Sequence, residues 1–388
     1  MQKSNLRQNL ICLLILTWLV VGCENRASNI IFTLTSTPII AAGTTESSPI
    51  YGTPSSTITP ILPTPTARIF ADADNCTLPI NAGHILFLES SFVQNSTSYD
   101  GLYVMDGNAC SASLLMVGYV FGTPAWSTDG KQISIGCDNG SVICILDAHA
   151  SLDGCLNLGN FNGVCTPVIL RKYALPPGSG KYIFNTSWTY DNKRMVVESR
   201  ETESRDSDSY VNILTLAGNG SWKLVMHGTT EFNAEASPVT NEMLFDGNYI
   251  MSLDGGPISR YTISGYRAVW SHDGTKIAFL QEGPYVPTLP YTEPVGIAEW
   301  NFLKTPHWNW LYEPKPIDKY YWPPQNYFID LRDYPALSWS WDGKYLAFEG
   351  EGGSSREISE IYRLNVMTGE IEGLTTKFGQ GYAPAWGP

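Results

Sequence analysis

The chain lacks the residue patterns on which many enzymes depend. Its five histidines stand alone in the sequence, so no metal-binding motif such as His-Glu-x-x-His is present. No Gly-x-Ser-x-Gly sequence occurs, which excludes the nucleophile turn of the α/β-hydrolases. We therefore expect no catalytic residues of these types, no bound metal and no cofactor.

Basic residues and long apolar runs are also scarce. Lys and Arg number 24 against 37 Asp and Glu, which gives a net charge of −13. An acidic chain repels phosphate backbones and anionic headgroups, so we expect neither nucleic acid binding nor electrostatic attachment to a membrane. The apolar run at the N-terminus extends only from Leu10 to Val21 and is too short to cross a bilayer.

This apolar run has the features of an export signal. Lys3 and Arg7 precede it, and Val20-Val21-Gly22-Cys23 ends it. A basic start, a short apolar core and a small-residue cleavage site are typical of signal peptides, and the terminal Cys resembles the lipobox of bacterial lipoproteins. We expect residues 1–22 to be a signal peptide and Cys23 to carry a lipid on the extracytoplasmic side of the cell envelope. The alternative is an ordinary signal peptide with a chance cysteine.

Residues 23–70 are rich in Ser, Thr and Pro and poor in charge. Such a segment buries too little apolar surface to offset the entropy of ordering, and its prolines favour extended conformations. We interpret it as a disordered linker that holds the domain of residues 71–388 away from the membrane.

One short pattern occurs five times in this domain. Each copy has an aromatic position, usually Trp, a polar turn of the type Ser-x-Asp-Gly, and an apolar residue seven places after the Trp position. The copies are residues 126–133, 188–195, a degenerate 236–243, 270–277 and 339–346, and residues 382–388 begin a sixth copy. Their uneven spacing indicates copies of one structural unit joined by loops of different length.

Each copy predicts a β-hairpin. Asp-Gly and Asp-Asn accept the positive φ angles of tight turns, and segments such as Ile277-Ala-Phe279 suit a buried strand. A further strand signal follows in several copies, at residues 101–106, 142–147, 249–254 and 361–364. Each repeat is therefore expected to form a small antiparallel sheet.

The first repeat lacks its own Trp-containing strand. The segment His84-Ile-Leu-Phe87 matches the strand that should follow an Asp-Gly turn, yet no Trp precedes it. If residues 382–388 supply the missing strand, the chain closes into a ring without a long open edge. We therefore predict an all-β, six-bladed β-propeller closed by its C-terminal strand.

The Trp-Ser-x-Asp-Gly-Lys-x-Ile-Ala-Phe pattern resembles the WD40-like repeat of TolB-type β-propellers, which also occurs in prolyl-oligopeptidase-like peptidases. The resemblance covers roughly residues 78–388 and implies a fold rather than a function. TolB has a small domain before its propeller where this chain has the linker, so partnership with a Tol-Pal-like system is not carried over. The hydrolase domain of the peptidases is not expected, because the propeller repeats run to residue 388.

Six cysteines remain after Cys12 of the signal and Cys23 are set aside. An even number in an exported chain suggests disulfides, and the sequence does not choose among the fifteen pairings that six cysteines allow. Local closure favours pairing Cys137 with Cys144, Cys155 with Cys165, and Cys76 with Cys110. A metal site is the alternative, but no Cys-x-x-Cys or nearby His completes a ligand set.

The longest insertion, about residues 283–334, is twice as aromatic as the chain, in which Phe, Trp and Tyr make up 12%. Exposed rings on such a loop bind sugars, proline-rich peptides or cations, whereas buried rings only pack the loop against the blade. Both readings stay open. The candidate ligand-binding residues are Trp300, Trp308, Trp310, Tyr320, Tyr321 and Trp322.

The sequence favours a monomeric binding or scaffold module with a protein or glycan partner. The alternative is a carbohydrate-active enzyme, a glycosidase or lyase, that uses loop carboxylates at the propeller mouth. The carboxylates considered for that role are Asp206, Asp208, Glu282 and Asp330. Turn geometry explains the recurring turn aspartates better than acid–base chemistry does.

Overall fold

The computed structural model divides the chain into two compact units, Met1–Ile61 and Leu62–Pro388, and every residue described below belongs to the second. The described residues are 68–69, 83–94, 97–107, 111–118, 122–152, 167–202, 207–228, 232–245, 249–255, 259–260, 266–280, 295–299, 309–310, 337–351, 359–375 and 381–388.

The strands form six antiparallel sheets in succession along the chain. The first sheet contains β1 (Arg68–Ile69), β2 (His84–Gln94), β3 (Thr97–Asp106) and β4 (Ser111–Gly118). The second contains β5 (Ala125–Trp126), β6 (Gln132–Cys137), β7 (Val142–Asp147) and β8 (Ile169–Ala174), with the short helix α1 (Ala148–Leu152) before β8. The third contains β9 (Tyr182–Trp188), β10 (Arg194–Arg200), β11 (Ser209–Thr215) and β12 (Ser221–Gly228).

The remaining sheets repeat this order. The fourth contains β13 (Glu235–Ala236), β14 (Glu242–Phe245), β15 (Tyr249–Ser252) and β16 (Ser259–Arg260). The fifth contains β17 (Tyr266–Trp270), β18 (Lys276–Leu280), β19 (Val295–Glu299) and β20 (Asn309–Trp310). The sixth contains β21 (Leu337–Trp339), β22 (Tyr345–Glu351), β23 (Ser359–Asn365) and β24 (Ile371–Gly373), and β25 (Tyr382–Gly387) follows it.

The last strand closes the ring. β25 pairs with β2 at the edge of the first sheet, with Trp386 opposite Ile85 and Ala385 opposite Leu86. The first sheet therefore has five strands in the order β1-β4-β3-β2-β25, whereas each other sheet has four. This pairing confirms the predicted six-bladed propeller and its closure.

The Ser-x-Asp-Gly turns have the geometry that the repeat predicts. In the fifth sheet Ser271 Oγ donates to Asp273 Oδ1 (2.7 Å) and accepts from the backbone N–H of Lys276 (2.9 Å). The following Gly274 has φ +65°, and a Cβ there would lie 2.3 Å from Val239 Cγ2, so a side chain is excluded on both counts. Equivalent Ser-to-Asp bonds occur in the second and sixth sheets.

These turn carboxyls are held ionised. Burial alone would raise the pKa of Asp273, but hydrogen bonds from Thr275 and Ser271 outweigh it, and the net pKa lies below the ordinary value. The pKa values of Asp129, Asp191 and Asp342 are lowered by the same balance. The repeated aspartates therefore serve as structural acceptors in the turns.

The core lies between the sheets. Six clusters of buried apolar residues occur in the described part of the chain, one at each junction between consecutive blades. Alternate residues of one strand face opposite neighbours, as in β2, where Ile85 and Phe87 face the sixth blade and Leu86 and Leu88 face the second. Every blade is thus covered on both faces.

The predicted disulfide between Cys137 and Cys144 is present. It joins β6 and β7 diagonally, and both residues are buried in the cluster between the first and second blades. The candidate residues Cys76, Cys110, Cys155 and Cys165 lie outside the described residues, as do the signal peptide, Cys23 and the linker before residue 68. The predicted linker boundary at residue 70 was too late, because Arg68–Ile69 pair with β4 at the edge of the first sheet.

The aromatic insertion contributes to the fifth blade. Within residues 283–334, β19 pairs with β18 and β20 pairs with β19, so the segment supplies the third and fourth strands of that sheet. Trp310 lies in β20 opposite Ala298. The candidates Trp300, Trp308, Tyr320, Tyr321 and Trp322 lie outside the described residues.

Candidate binding site at the axis of the propeller

The first strand of each four-stranded sheet, together with β25, surrounds a common cavity. Residues from all six of these edge strands line it, so the strands are the innermost of their blades and the cavity lies on the propeller axis. Its volume is about 120 Å³. This is smaller than the roughly 300 to 1,000 Å³ of pockets that enclose drug-sized ligands, so the cavity holds a small group or several waters.

Hydrogen bonds join neighbouring blades around this axis, and all run in the same direction. At every junction a donor at the Trp position of one blade reaches an acceptor of the preceding blade. The bonds are Trp126 Nε1 to Ala385 O (3.1 Å), Trp188 Nε1 to Ser134 Oγ (3.0 Å), Ala236 N to Ser187 Oγ (3.0 Å), Trp270 N to Glu235 Oε1 (3.1 Å), Trp339 Nε1 to Val269 O (3.2 Å) and Trp386 N to Ser338 Oγ (2.8 Å).

Three of these acceptors are side chains at the position before the Trp. They are Ser187, Ser338 and Glu235. Comparing this position among the six repeats would have identified Glu235, because the others are Ala, Ser or Val. Glu235 was not predicted from the sequence, because the repeat pattern is defined by its Trp and turn residues.

Glu235 is the one carboxylate among the described residues that line the cavity. Burial raises the pKa of Glu235 to about 8, although the N–H of Trp270 acts in the opposite direction. No charged side chain contributes to this shift. At neutral pH the group is therefore mostly a carboxylic acid in the empty cavity.

Thr123 and His272 are two of the other polar residues that line the cavity. The Thr123 hydroxyl is buried, with the residue 8% exposed, and has no hydrogen-bond partner in the described structure. His272 lies at the end of the cavity formed by the turns, and its Nε2 donates to the carbonyl of Trp386 at 3.3 Å. Burial lowers the pKa of His272, which keeps the ring neutral at physiological pH.

The turns surround this end of the cavity, which we call the turn-side mouth. It is defined by the residue that follows the Ser position in each repeat. Thr128, Pro238 and His272 at this position line the cavity. The same position is held by Tyr190, Trp341 and Pro388 in the other three repeats, and the Tyr190 carbonyl accepts from Thr128 Oγ1 at 3.3 Å. Tyr190 is 43% exposed and Trp341 is 37% exposed, and these are the exposed large aromatic residues of the described structure. The Trp341 ring lies 4.3 Å from the His272 ring, so an aromatic surface continues from the exterior to the cavity.

Of the carboxylates considered for catalysis, Asp208 is described and the other three, Asp206, Glu282 and Asp330, lie outside the described residues. Asp208 lies 3.4 Å from His227 and is absent from the described lining of the axial cavity. No group of three or more His, Cys, Asp or Glu that could hold a metal ion occurs in the part of the chain that was described. No helix among the same residues is long and apolar enough to span a membrane.

The fold and the cavity define the class of the molecule as a six-bladed β-propeller with an axial site. No protein-family model and no curated protein matches the sequence. Among solved structures, the chain is similar to TolB from Acinetobacter baumannii, with 16% identity, 79% of this chain and 67% of that chain covered, and a TM-score of 0.49.

It is also similar to an oligogalacturonate lyase from Vibrio parahaemolyticus, with 11% identity, coverage of 75% and 85%, and a TM-score of 0.41. A puromycin-hydrolyzing peptidase from Mycobacterium tuberculosis gives 14% identity, coverage of 74% and 44%, and a TM-score of 0.41. Similarity at these identities concerns the fold alone, so function has to be argued from the site.

Proposed function

We propose that this chain is a lipid-anchored binding module of the bacterial cell envelope that takes its ligand at the turn-side mouth. The observation that carries the proposal is the pair of exposed rings, Tyr190 and Trp341, on turns that contact the cavity-lining residues Thr128 and His272 respectively. Large aromatic residues on a rigid scaffold provide contact area with little loss of conformational entropy, and they are enriched at binding hot spots.

The anchor is the lipid on Cys23, and the linker between Cys23 and β1 holds the propeller away from the membrane on its extracytoplasmic side. The disulfide between Cys137 and Cys144 supports export, because such bonds persist in oxidising compartments. The propeller acts as a monomer, and its partner is a protein segment or a glycan, both of which stack on exposed aromatic rings.

The carbohydrate-active enzyme is the less favoured alternative. Glycoside hydrolysis ordinarily needs two carboxyl groups roughly 5 to 10 Å apart across the scissile bond. The described lining of the axial cavity provides Glu235 alone. The described lining therefore fits a binding site better than a glycosidase site, which requires a second carboxyl group.

The mouth is tested by site-specific photocrosslinking in cells. A photoreactive amino acid is placed at Tyr190 in one variant and at Leu224 in a matched control on the same blade, where Leu224 lies in the outer strand β12 and is 52% exposed. We expect a discrete cross-linked product from position 190 and none from position 224. Equal products from both positions, or none from either, would contradict a binding site at the mouth.

The anchor is tested separately with Cys23→Ser. Because the lipid is the proposed membrane attachment, the variant should leave the membrane fraction or accumulate as an unprocessed precursor. Mass spectrometry of the wild-type N-terminus should show acylated Cys23. Unchanged fractionation together with an unmodified wild-type Cys23 would contradict the lipoprotein assignment.

A further inference from the structure

The Glu235 carboxyl lines the axial cavity without a cationic partner. No Lys or Arg is among the described lining residues. Acidic side chains are almost never buried without a partner, because desolvation of the charged form costs several kcal/mol as an order of magnitude. The Glu235 residue is half-buried and its carboxyl faces the cavity, so it is suited to a partner that enters from outside.

The neighbouring strands do not provide the missing charge. The charged residues on the strands packed against β13 are Glu242 on β14, Arg194, Glu198 and Arg200 on β10, and Arg267 on β17. None of them lines the cavity. Arg194 pairs with Asp254 at 2.8 Å and Arg200 with Glu198 at 3.8 Å. The inner strand β9 presents Asn185, Thr186 and Ser187, which do not titrate. Among the described lining residues, His272 is the other titratable group.

The rest of the lining suits an alkyl stem with one polar end. The residues around the axis are largely Trp, Pro, Ala, Val and Leu, with a few hydroxyl and amide groups. The Thr123 hydroxyl has no partner and offers a further hydrogen-bond acceptor in the same cavity. A divalent metal is a poor match, because such ions require several oxygen or nitrogen ligands around them.

We propose that the axial cavity binds an alkylammonium group, such as the end of a lysine side chain or a linear amine, with the Glu235 carboxylate as its counter-ion. The ammonium carries three N–H donors, and its alkyl stem packs against the apolar lining. This inference rests on the proposed binding function and specifies what its axial cavity recognises.

Binding of such a cation changes the protonation of Glu235. The empty site holds a carboxylic acid at neutral pH, since its pKa is raised to about 8. Binding ionises the acid: the carboxyl O–H bond breaks, the proton passes to solvent, and the carboxylate pairs with the ammonium. At about pH 7 close to one proton should be released per ligand, and above about pH 9 almost none. Affinity should increase by up to about tenfold per pH unit from pH 6 to 8.

The test is isothermal titration calorimetry of the full chain with n-butylammonium chloride, in buffers of different ionisation enthalpy, at several pH values. 1-Butanol serves as the neutral ligand of similar shape. We expect saturable binding of butylammonium with the proton release described above, and at least tenfold weaker binding of butanol. Glu235→Gln should abolish both binding and proton release. Asp208→Asn, which makes the same carboxyl-to-amide change outside the described lining of the cavity, should leave both unchanged.

Several outcomes would overturn the proposal: equal binding by Glu235→Gln, equal affinity for butanol, or the absence of binding at millimolar ligand. If Glu235→Gln fails to fold, Glu235→Asp and the proton release of the wild type decide the question. A partner cross-linked at position 190 without butylammonium binding removes this inference and leaves the proposed function intact. Butylammonium binding without a cross-link supports this inference and contradicts the proposed binding site at the mouth.

Discussion

Trp386 lies directly opposite Ile85 in the first sheet, so the end of the chain completes the blade that the start of the domain begins. The backbone N–H of Trp386 donates to Ser338 of the sixth blade, and the Trp386 ring stacks with Tyr345 of the same blade. One strand thus completes the first blade and attaches it to the last.

Deleting residues 382–388 should strongly destabilise the propeller. In the intact protein β25 pairs with the edge of β2, and Trp386 packs in the same buried cluster as Ile85. The deletion exposes both the strand edge and the Ile85 side chain. The free energy of unfolding, measured with urea, is the appropriate readout. An unchanged unfolding midpoint would mean that closure does not depend on β25.

A pair of single substitutions separates closure from the general loss of a Trp. Trp386 is 2% exposed, whereas Trp341 lies at the mouth and is over a third exposed. We expect Trp386→Ala to cost about 3 to 5 kcal/mol and Trp341→Ala less than about 1 kcal/mol. Similar losses for the two variants would be inconsistent with the role assigned to β25.

The disulfide between Cys137 and Cys144 should make a modest contribution to stability. It closes a short loop with a sequence separation of 7, for which chain entropy gives about 2 to 3 kcal/mol. The double variant Cys137→Ala/Cys144→Ala should lose about this amount relative to the oxidised wild type. Mass spectrometry without reductant checks the bond itself, together with the predicted pairs Cys155–Cys165 and Cys76–Cys110. Alkylation of Cys137 or Cys144 in the native protein would contradict the assignment.

Glu235 should make stability depend on pH. The folded protein keeps a proton on a carboxyl whose pKa is about 8, while the unfolded chain releases it near the ordinary pKa of about 4.3. The free energy of unfolding should therefore decrease as pH rises from about 5 to 8, by at most about 1.4 kcal/mol per pH unit. His272 is neutral in both states above about pH 7, so its contribution there is small.

The comparison is made between pH 7 and 8.5 by urea unfolding of the wild type and of Glu235→Gln. The variant should lose this decrease and be the more stable protein at the alkaline end, because an amide carries no charge to desolvate. Asp208→Asn should retain the slope of the wild type. If the slopes of the wild type and Glu235→Gln coincide, the carboxyl is not held protonated.

The aromatic insertion should contribute to binding through rings that do not support the blade. Trp308→Ala and Trp322→Ala are expected to weaken binding of a partner identified at position 190 by about 1 to 3 kcal/mol for a ring that acts as an anchor. Their unfolding midpoints should stay close to that of the wild type. Trp310 belongs to β20, so its substitution should also affect the edge of the fifth sheet. Unaltered affinity in both variants would leave packing as the role of these rings.

The repeat pattern predicts most of the architecture because turn chemistry is local. The φ angle of Gly274 and the Ser271–Asp273 bond follow from four consecutive residues. Closure of the ring was also predictable. The first repeat, at His84, lacks a Trp-containing strand, and residues 382–388 provide such a strand without the rest of a repeat. The diagonal Cys137–Cys144 bond follows from a short hairpin.

Other features depend on contacts that a linear pattern does not carry. β19 and β20 are short, and their place in the fifth sheet is determined by pairing with β18 across a long connection. The environment of Glu235 depends on all six inner strands, which are far apart in sequence but meet at the axis. Its raised pKa is a property of that shared cavity and has no local signature.

The closing strand also affects how the protein is made. Residues 84 and 388 are 304 positions apart, and the His84 ring contacts the carbonyl of Pro388. Because synthesis proceeds from the N-terminus, β2 is available to pair about three hundred residues before β25 exists. A prematurely terminated chain would therefore present an unpaired sheet edge, the feature that leads to aggregation.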